Sequence, residues 1–178
     1  MASKLEVRGV FYRMLKEVFP HIDEIVGEGI GKHFEGIDPD AWYDAGPYLA
    51  AVNYLRERIS PQVMVLIGNR LVEVIEAEVR DFDIGSPREM AEKLPEIYRE
   101  FVRGEEAGEW RAEEYAPGRA VIVETGVTGN VSFAAGVLKG SVEAVGAYNV
   151  RVTVLDDRAK GAAVNRYLVE WMTPAQER

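Results

Sequence analysis

The feature that most restricts what this chain can fold into is a change of hydrophobic period shortly after its hundredth residue. Before it, apolar residues recur three and four apart, the spacing of helices packed on one face. Val7, Val10, Phe11, Met14, Leu15 and Val18 follow that rule until Pro20 ends the run. A second helix is expected from His21 to Gly27, with glycines 27, 29 and 31 loosening its end, and "GIDPDAWYDAGPY" reads as a loop. The next helix lies in "GPYLAAVNYLRERIS", with Tyr48, Ala51, Val52 and Leu55 along one side. Ser60 then caps a long helix whose first position is Pro61, where a missing N–H leaves nothing unpaired. Met64, Ile67, Leu71, Val74, Ile75 and Val79 mark its inner face. Ser86 and Pro87 repeat the signal, and Gly104 or Gly108 is the expected stop.

After Gly108 the grammar is that of strands. "EWRAEEYA" and "GRAVIVETG" are joined by a Pro-Gly turn, and "YNVRVTVLDD" sets Val150, Val152 and Val154 on one face, with "VNRYLVEWM" as its partner. Between the hairpins, "NVSFAAGVLKGSVEAVGA" reads as a helix capped by Asn130. Gly136 and Gly140 fall on one of its faces, where they would let it approach the sheet closely. Helices followed by hairpin, helix and hairpin predict an α+β fold in a single domain over residues 1–178. In it a helical N-terminal portion (1–93) packs on a small antiparallel four-stranded sheet, with the glycine-rich helix between its two hairpins. No internal repeat, low-complexity tract or linker interrupts it.

Composition narrows the function classes. A formal charge of -9 with no basic stripe argues against nucleic acid, which is bound by clustered Lys and Arg. The absence of cysteine excludes disulfides, thiolate zinc sites and cysteine nucleophiles. No run of 18 apolar residues is present, and "MASKLEVRGVFYRML" lacks the continuous apolar stretch of a leader. No membrane association and a cytoplasmic location are therefore expected.

Catalytic constellations are missing. The histidines are His21 and His33, with no Ser–His–Asp order, glycine-rich phosphate loop or His-Glu-x-x-His helix around them. Acid pairs such as Glu105/Glu106, Glu113/Glu114 and Asp156/Asp157 read as solvated surface. The aromatics, in contrast, crowd the helical half, and a helical layer over a small sheet is where apolar pockets form. The expected pocket has Trp42, Tyr43 and Tyr48 at its mouth and Tyr54 and Met64 on its helical wall. Tyr98, Phe101 and Trp110 form the sheet-side wall and Phe133 closes the end, each of these residues being equally readable as plain core.

The stretches "LPEIYREFVRGEEAGEW", "PGRAVIVETG", "NVSFAAGVLKGSVEAVGAYNVRVTV" and "DDRAKGAAVNRYLVEW", over about residues 94–172, resemble the 4-vinyl reductase domain family. That family shares a superfamily with haem nitric-oxide sensors and TRAPP-type tethering subunits. The resemblance implies a small-molecule-binding or sensory module. It also implies a structural zinc in many members, whose ligand positions fall here on Val131, Val154, Asp157 and Asn165. Two valines, an aspartate and an asparagine do not make a zinc site, so no metal is expected, and the two valines should pack where ligands once stood. The axial histidine of the haem-binding relatives is likewise missing, "MAEKLPEIYREF" standing in its place, with Tyr98 read as a pocket or core residue. Three readings follow, and none calls for a cofactor. The first is a sensor-like domain holding a small apolar or aromatic molecule. The second is a protein-interaction module with a side-chain-filled pocket, the chain pairing as a homodimer. The third is an enzyme or accessory protein of tetrapyrrole metabolism, ranked last for want of acid–base residues.

Overall fold

The computed structural model describes residues 4–76, 79, 81–126 and 130–174, and it begins with a strand where the periodicity reads as helix. β1 (Glu6–Arg8) runs straight into α1 (Gly9–Val18). α2 (Ile22–Val26), α3 (Glu28–Gly31) and a 3-10 turn (Lys32–Phe34) follow, Gly27 at φ 79° separating the first two. β2 (Trp42–Asp44) then leads into α4 (Ala45–Arg56). α5 (Pro61–Val74) and α6 (Pro87–Phe101) complete the helical portion, and β3 (Val102–Arg103) continues directly from α6.

The helix starts are chemical. Ser60 Oγ accepts the Val63 N–H at 3.3 Å, and Ser86 Oγ accepts the Glu89 N–H at 3.2 Å. Glu89 closes a box by accepting from Ser86 Oγ and the Gly85 N–H. Asp44, not singled out from sequence, caps α4 by accepting from the Gly46 N–H at 2.7 Å. The predicted inner faces are buried: Tyr48, Ala51, Val52 and Leu55 on α4, and Met64, Ile67 and Leu71 on α5, with Ile75 just beyond its end. Val74 and Val79 are half-buried.

Three short strands form a sheet that the sequence reading lacks. β1 pairs antiparallel with β2 on one side (Val7 opposite Tyr43) and with β3 on the other (Val7 opposite Val102). Val7 is thus a strand residue rather than the start of the α1 stripe, and "GIDPDAWYDAGPY" is not all loop. α6 ends at Phe101, before either predicted glycine, because β1 takes up the next two residues. Strands this short carry no readable alternation.

The main sheet is as expected in class. β4 (Trp110–Ala116) and β5 (Arg119–Glu124) make one hairpin, β6 (Tyr148–Asp156) and β7 (Asn165–Met172) the other, in the antiparallel order β4–β5–β7–β6. α7 (Val131–Ala144) connects them, its first turn held by Asn130 Oδ1, which accepts from the N–H groups of Ser132 and Phe133. Ala134, Leu138 and Val142 on α7 share a core with Ile122, Tyr167, Val169 and Trp171 of the sheet. Val154, expected to pack inward, is 37% exposed, because β6 is an edge strand with register shifts at both ends.

The α7 glycines serve a different neighbour from the one expected. A Cβ on Gly136 would overlap the Val65 carbonyl oxygen, and one on Gly68 would overlap the Phe133 carbonyl oxygen. A Cβ on Gly140 would lie 3.1 Å from the Val72 side chain. The close approach is therefore between α5 and α7, helix to helix.

A sign difference tests this contact. Alanine is favoured over glycine in a helix by roughly 1 kcal/mol, yet Gly136→Ala should lower stability by about 1–3 kcal/mol, since overpacking forces the two backbones apart. Gly29→Ala on α3, which meets nothing within 4 Å, should leave the urea midpoint unchanged or raise it.

Candidate functional site

Between the helices and the sheet lies a cavity of about 380 Å³. α4 contributes Tyr48, Leu49 and Val52. Leu71 and Val72 come from α5, with Ile75 next to them. α6 supplies Met90, Leu94, Ile97, Tyr98 and Phe101, while α7 adds Phe133, Ala134 and Val137. Phe11 and Trp110 complete the wall, and the exposed members Glu76, Asp83 and Ala144 mark its open side.

Of the nine residues expected at a pocket, Tyr48, Tyr98, Phe101, Trp110 and Phe133 line this cavity. The other four stand outside it, each for a visible reason. Trp42 lies on β2 beside the Arg103 and Arg8 guanidinium groups, 4.2 and 5.8 Å from its ring centre. Tyr43, the next residue, accepts the Asp38 N–H at 3.0 Å. Tyr54 is covered by the Arg58 guanidinium at 3.6 Å. Met64 is buried one turn before Gly68 and faces a second, more open cavity of about 620 Å³. "AWYDAGPY" is consequently a strand and a helix start rather than the mouth of the pocket. The mouth residues Glu76 and Asp83 had no sequence signal, being two acids among many.

The polar groups around the cavity are few. Tyr48 stands edge-on to Phe11 at 5.4 Å and beside Tyr12 at 5.8 Å. Tyr12 donates its hydroxyl hydrogen to the Asp44 carbonyl at 2.5 Å and accepts the Tyr48 N–H at 3.2 Å. The Tyr48 hydroxyl is buried and finds no hydrogen-bond partner among the described residues. Tyr98 donates to the Ala107 carbonyl at 2.8 Å and stacks on Trp110 at 5.9 Å.

Behind Trp110 lies a group absent from the sequence reading. Glu124 is fully buried; its Oε1 accepts the Trp110 indole N–H at 2.9 Å. Its Oε2 accepts from Asn165 Nδ2 at 2.9 Å and from the Tyr167 hydroxyl at 2.7 Å. A single acid closing an apolar strand gives no hint that three donors will converge on it.

Burial governs the phenols. It raises Tyr48 and Tyr98 well above the ordinary tyrosine value, and the Glu124 charge adds to the rise at Tyr98. Tyr167 is raised by burial first and by Glu124 second, and Tyr12 is pushed up to about 12, mainly by burial.

The four positions aligned with a zinc site divide. Val131, Asp157 and Asn165 line the second cavity, and Val154 does not. Asp157 Oδ1 accepts the Ala159 N–H, and Asn165 Oδ1 accepts the Arg158 N–H at 2.8 Å, so both side chains shape the hairpin turn. Among the described residues no three His, Cys, Asp or Glu side chains converge as a metal group, and no helix is long and apolar enough to cross a membrane.

Residues 68–172 match the family described as "Protein of unknown function (DUF2378)". The chain belongs to the DUF2378 family. No curated protein matches it. Among solved structures, this DUF2378 member is similar to a triple mutant of an H-NOX protein from S. oneidensis in the Fe(II) ligation state. There the TM-score is 0.75 at 10% identity, covering 93% of this chain and 96% of that one. An unliganded Fe(II) H-NOX mutant from K. algicida gives 0.66 at 14% identity, covering 96% and 100%. A structure named for modulating haem redox potential through porphyrin distortion gives 0.61 at 10%, covering 92% and 96%. At these identities the likeness is one of fold.

Haem does not fit the cavity as this DUF2378 chain lines it. The lining holds no His or Cys for iron, and both histidines lie elsewhere and are exposed. Burial keeps the Tyr48 and Tyr98 phenols protonated, leaving Met90 as the one sulfur in the wall. Among the described residues no Lys or Arg lines it to meet propionates, and Asp83 stands exposed at the rim.

Two outcomes follow. Glu124→Ala should cost at least about 3 kcal/mol, because three buried donors lose their acceptor. Glu124→Gln, with one acceptor oxygen for the three, should fall between it and the parent in urea unfolding. Tyrosines of the unfolded chain ionise near about pH 10, while the folded ones hold their protons to higher pH. The folded state then binds more protons, so stability is complete below about pH 10 and declines as pH rises toward about 12. Urea midpoints taken across that alkaline window check the sign.

Proposed function

We propose that this domain is a small-molecule-binding, sensor-like module that holds an apolar or aromatic molecule between its helices and its sheet. The observation that carries the reading is the cavity itself: about 380 Å³, walled by aliphatic and aromatic side chains, and open at one acidic rim. That volume lies within the range of roughly 300–1,000 Å³ typical of small-ligand sites. A chain that needed only a core had the means to fill this space, since Val137 and Ala134 face it where larger residues would fit. The H-NOX-like fold supports the same reading, as do the segments resembling the 4-vinyl reductase domain, a relation that stays part of the proposal. A cytoplasmic location and homodimeric assembly belong to the proposal as well.

The test uses prodan, a neutral naphthyl ketone whose emission shifts to the blue in apolar surroundings. The full chain should bind one prodan with a blue shift. Val137→Phe, which fills the cavity, should abolish the shift while keeping or raising the urea midpoint by the roughly 0.5–2 kcal/mol that cavity filling gives. Prodan that shows no shift with the parent protein, or an equal shift with the filled variant, would overturn the reading. Native mass spectrometry of the same sample reports the oligomeric state.

A further inference from the structure

The geometry points to a second binding site: the cavity of about 620 Å³ beside Met64 takes a small organic molecule carrying an oxyanion, held by Asn130, Arg56 and Arg158. It shares no described lining residue with the apolar cavity, so the inference does not depend on that cavity being a ligand site.

The walls come from four places in the chain. Arg56 ends α4, Met64 lies in the first turns of α5, Asn130 and Ser132 open α7, and Asp157, Arg158 and Asn165 belong to the turn between β6 and β7. Asn130 sets the polarity. It is 9% exposed, and its Oδ1 is held against α7 by the N–H groups of Ser132 and Phe133. That contact orients the amide and turns Nδ2 away from the helix, where its two hydrogens have no partner among the described residues. A cap needs only the oxygen, and serine or aspartate would supply one without a second, unmatched polar group. An acceptor on a bound molecule gives those hydrogens their partner.

The charges agree. Acids outnumber Lys and Arg by 30 to 21, yet neither Arg56 nor Arg158 has a carboxylate partner among the described residues. Arg158 instead donates from Nη1 to the carbonyl oxygens of Thr125 and Gly126, at 3.1 and 2.7 Å, which holds its charge in place without neutralising it. Asp157 also lines the cavity, but its Oδ1 accepts the Ala159 N–H at 2.9 Å and its Oδ2 pairs with Lys160 Nζ at 3.4 Å, so its charge is met inside the turn. Two guanidinium groups and an amide N–H share one complement, an acceptor bearing negative charge. The positive end of α7, a helix of 14 residues, adds to the same field. Ile59, Met64, Val131 and Ala162 supply apolar wall for the body of the molecule.

The experiment titrates the full chain calorimetrically with benzoate, phenyl phosphate and benzamide, one ring with three head groups. At least one of the two anions should bind about tenfold more tightly than benzamide, the order of one hydrogen bond to a charged group; the tighter of them tells carboxylate from phosphate. Asn130→Asp keeps the cap but replaces the amide hydrogens with a negative oxygen. It should weaken the anion at least tenfold while leaving the urea midpoint, measured without ligand, at or above the parent's. Arg56→Gln, at an exposed position, should weaken the anion about fivefold, again with an unchanged midpoint. Benzamide bound as tightly as both anions, no binding of either anion, or anion binding unaltered in Asn130→Asp and Arg56→Gln would each overturn the inference. The outcome with prodan bears on the apolar cavity alone.

Discussion

The fold turns on the point where α5 and α7 meet with no side chain between them. Gly68 lies against the Phe133 carbonyl and Gly136 against the Val65 carbonyl, so each helix offers its bare backbone to the other. α5 belongs to the helical half and α7 to the sheet half, and this contact fixes their separation and crossing. The same two helices wall the cavity, with Leu71 and Val72 on one and Phe133 and Val137 on the other.

A second constraint holds the sheet. Glu124 ends β5 and collects donors from β4 (Trp110) and β7 (Asn165, Tyr167), tying three strands at one buried atom group. A buried carboxyl is costly unless it is hydrogen-bonded, and here an indole, an amide and a phenol each donate to it. The arrangement fixes register more than it adds stability, since a slip of one residue would turn Glu124 away from all three. It also reaches the cavity, because the Trp110 ring held by Glu124 forms part of the wall and stacks on Tyr98.

What could be read from sequence was whatever local chemistry decides. The Ser60–Pro61, Ser86–Pro87 and Asn130 helix starts are signals within four residues, and each is found as a cap. The Pro117–Gly118 turn and the two hairpins are of the same kind. What escaped depends on partners far along the chain. β1, β2 and β3 exist because residues 6–8 lie between 42–44 and 102–103, and two or three residues have no period of their own. The glycines were legible as sites of close approach, but which element approaches them was not. Five of the nine residues expected at a pocket line the cavity, four on helices and Trp110 at the start of β4. Trp42, Tyr43 and Tyr54 missed because aromatic composition does not distinguish a ring facing a cavity from one facing an arginine.

The likeness to H-NOX structures separates scaffold from chemistry. Architecture is kept across nearly the whole chain at 10–14% identity. Ligand chemistry requires particular atoms at particular points, and those are free to change while the frame stands. In this chain the cavity wall is mostly aliphatic and aromatic, with no Lys, Arg or His among its described residues. A wall of that composition favours apolar burial over charge as the source of affinity for a bound molecule. The Tyr12 and Tyr98 phenols and the Trp110 indole are committed to protein acceptors, so these polar atoms hold the frame around the cavity rather than offer a donor to it.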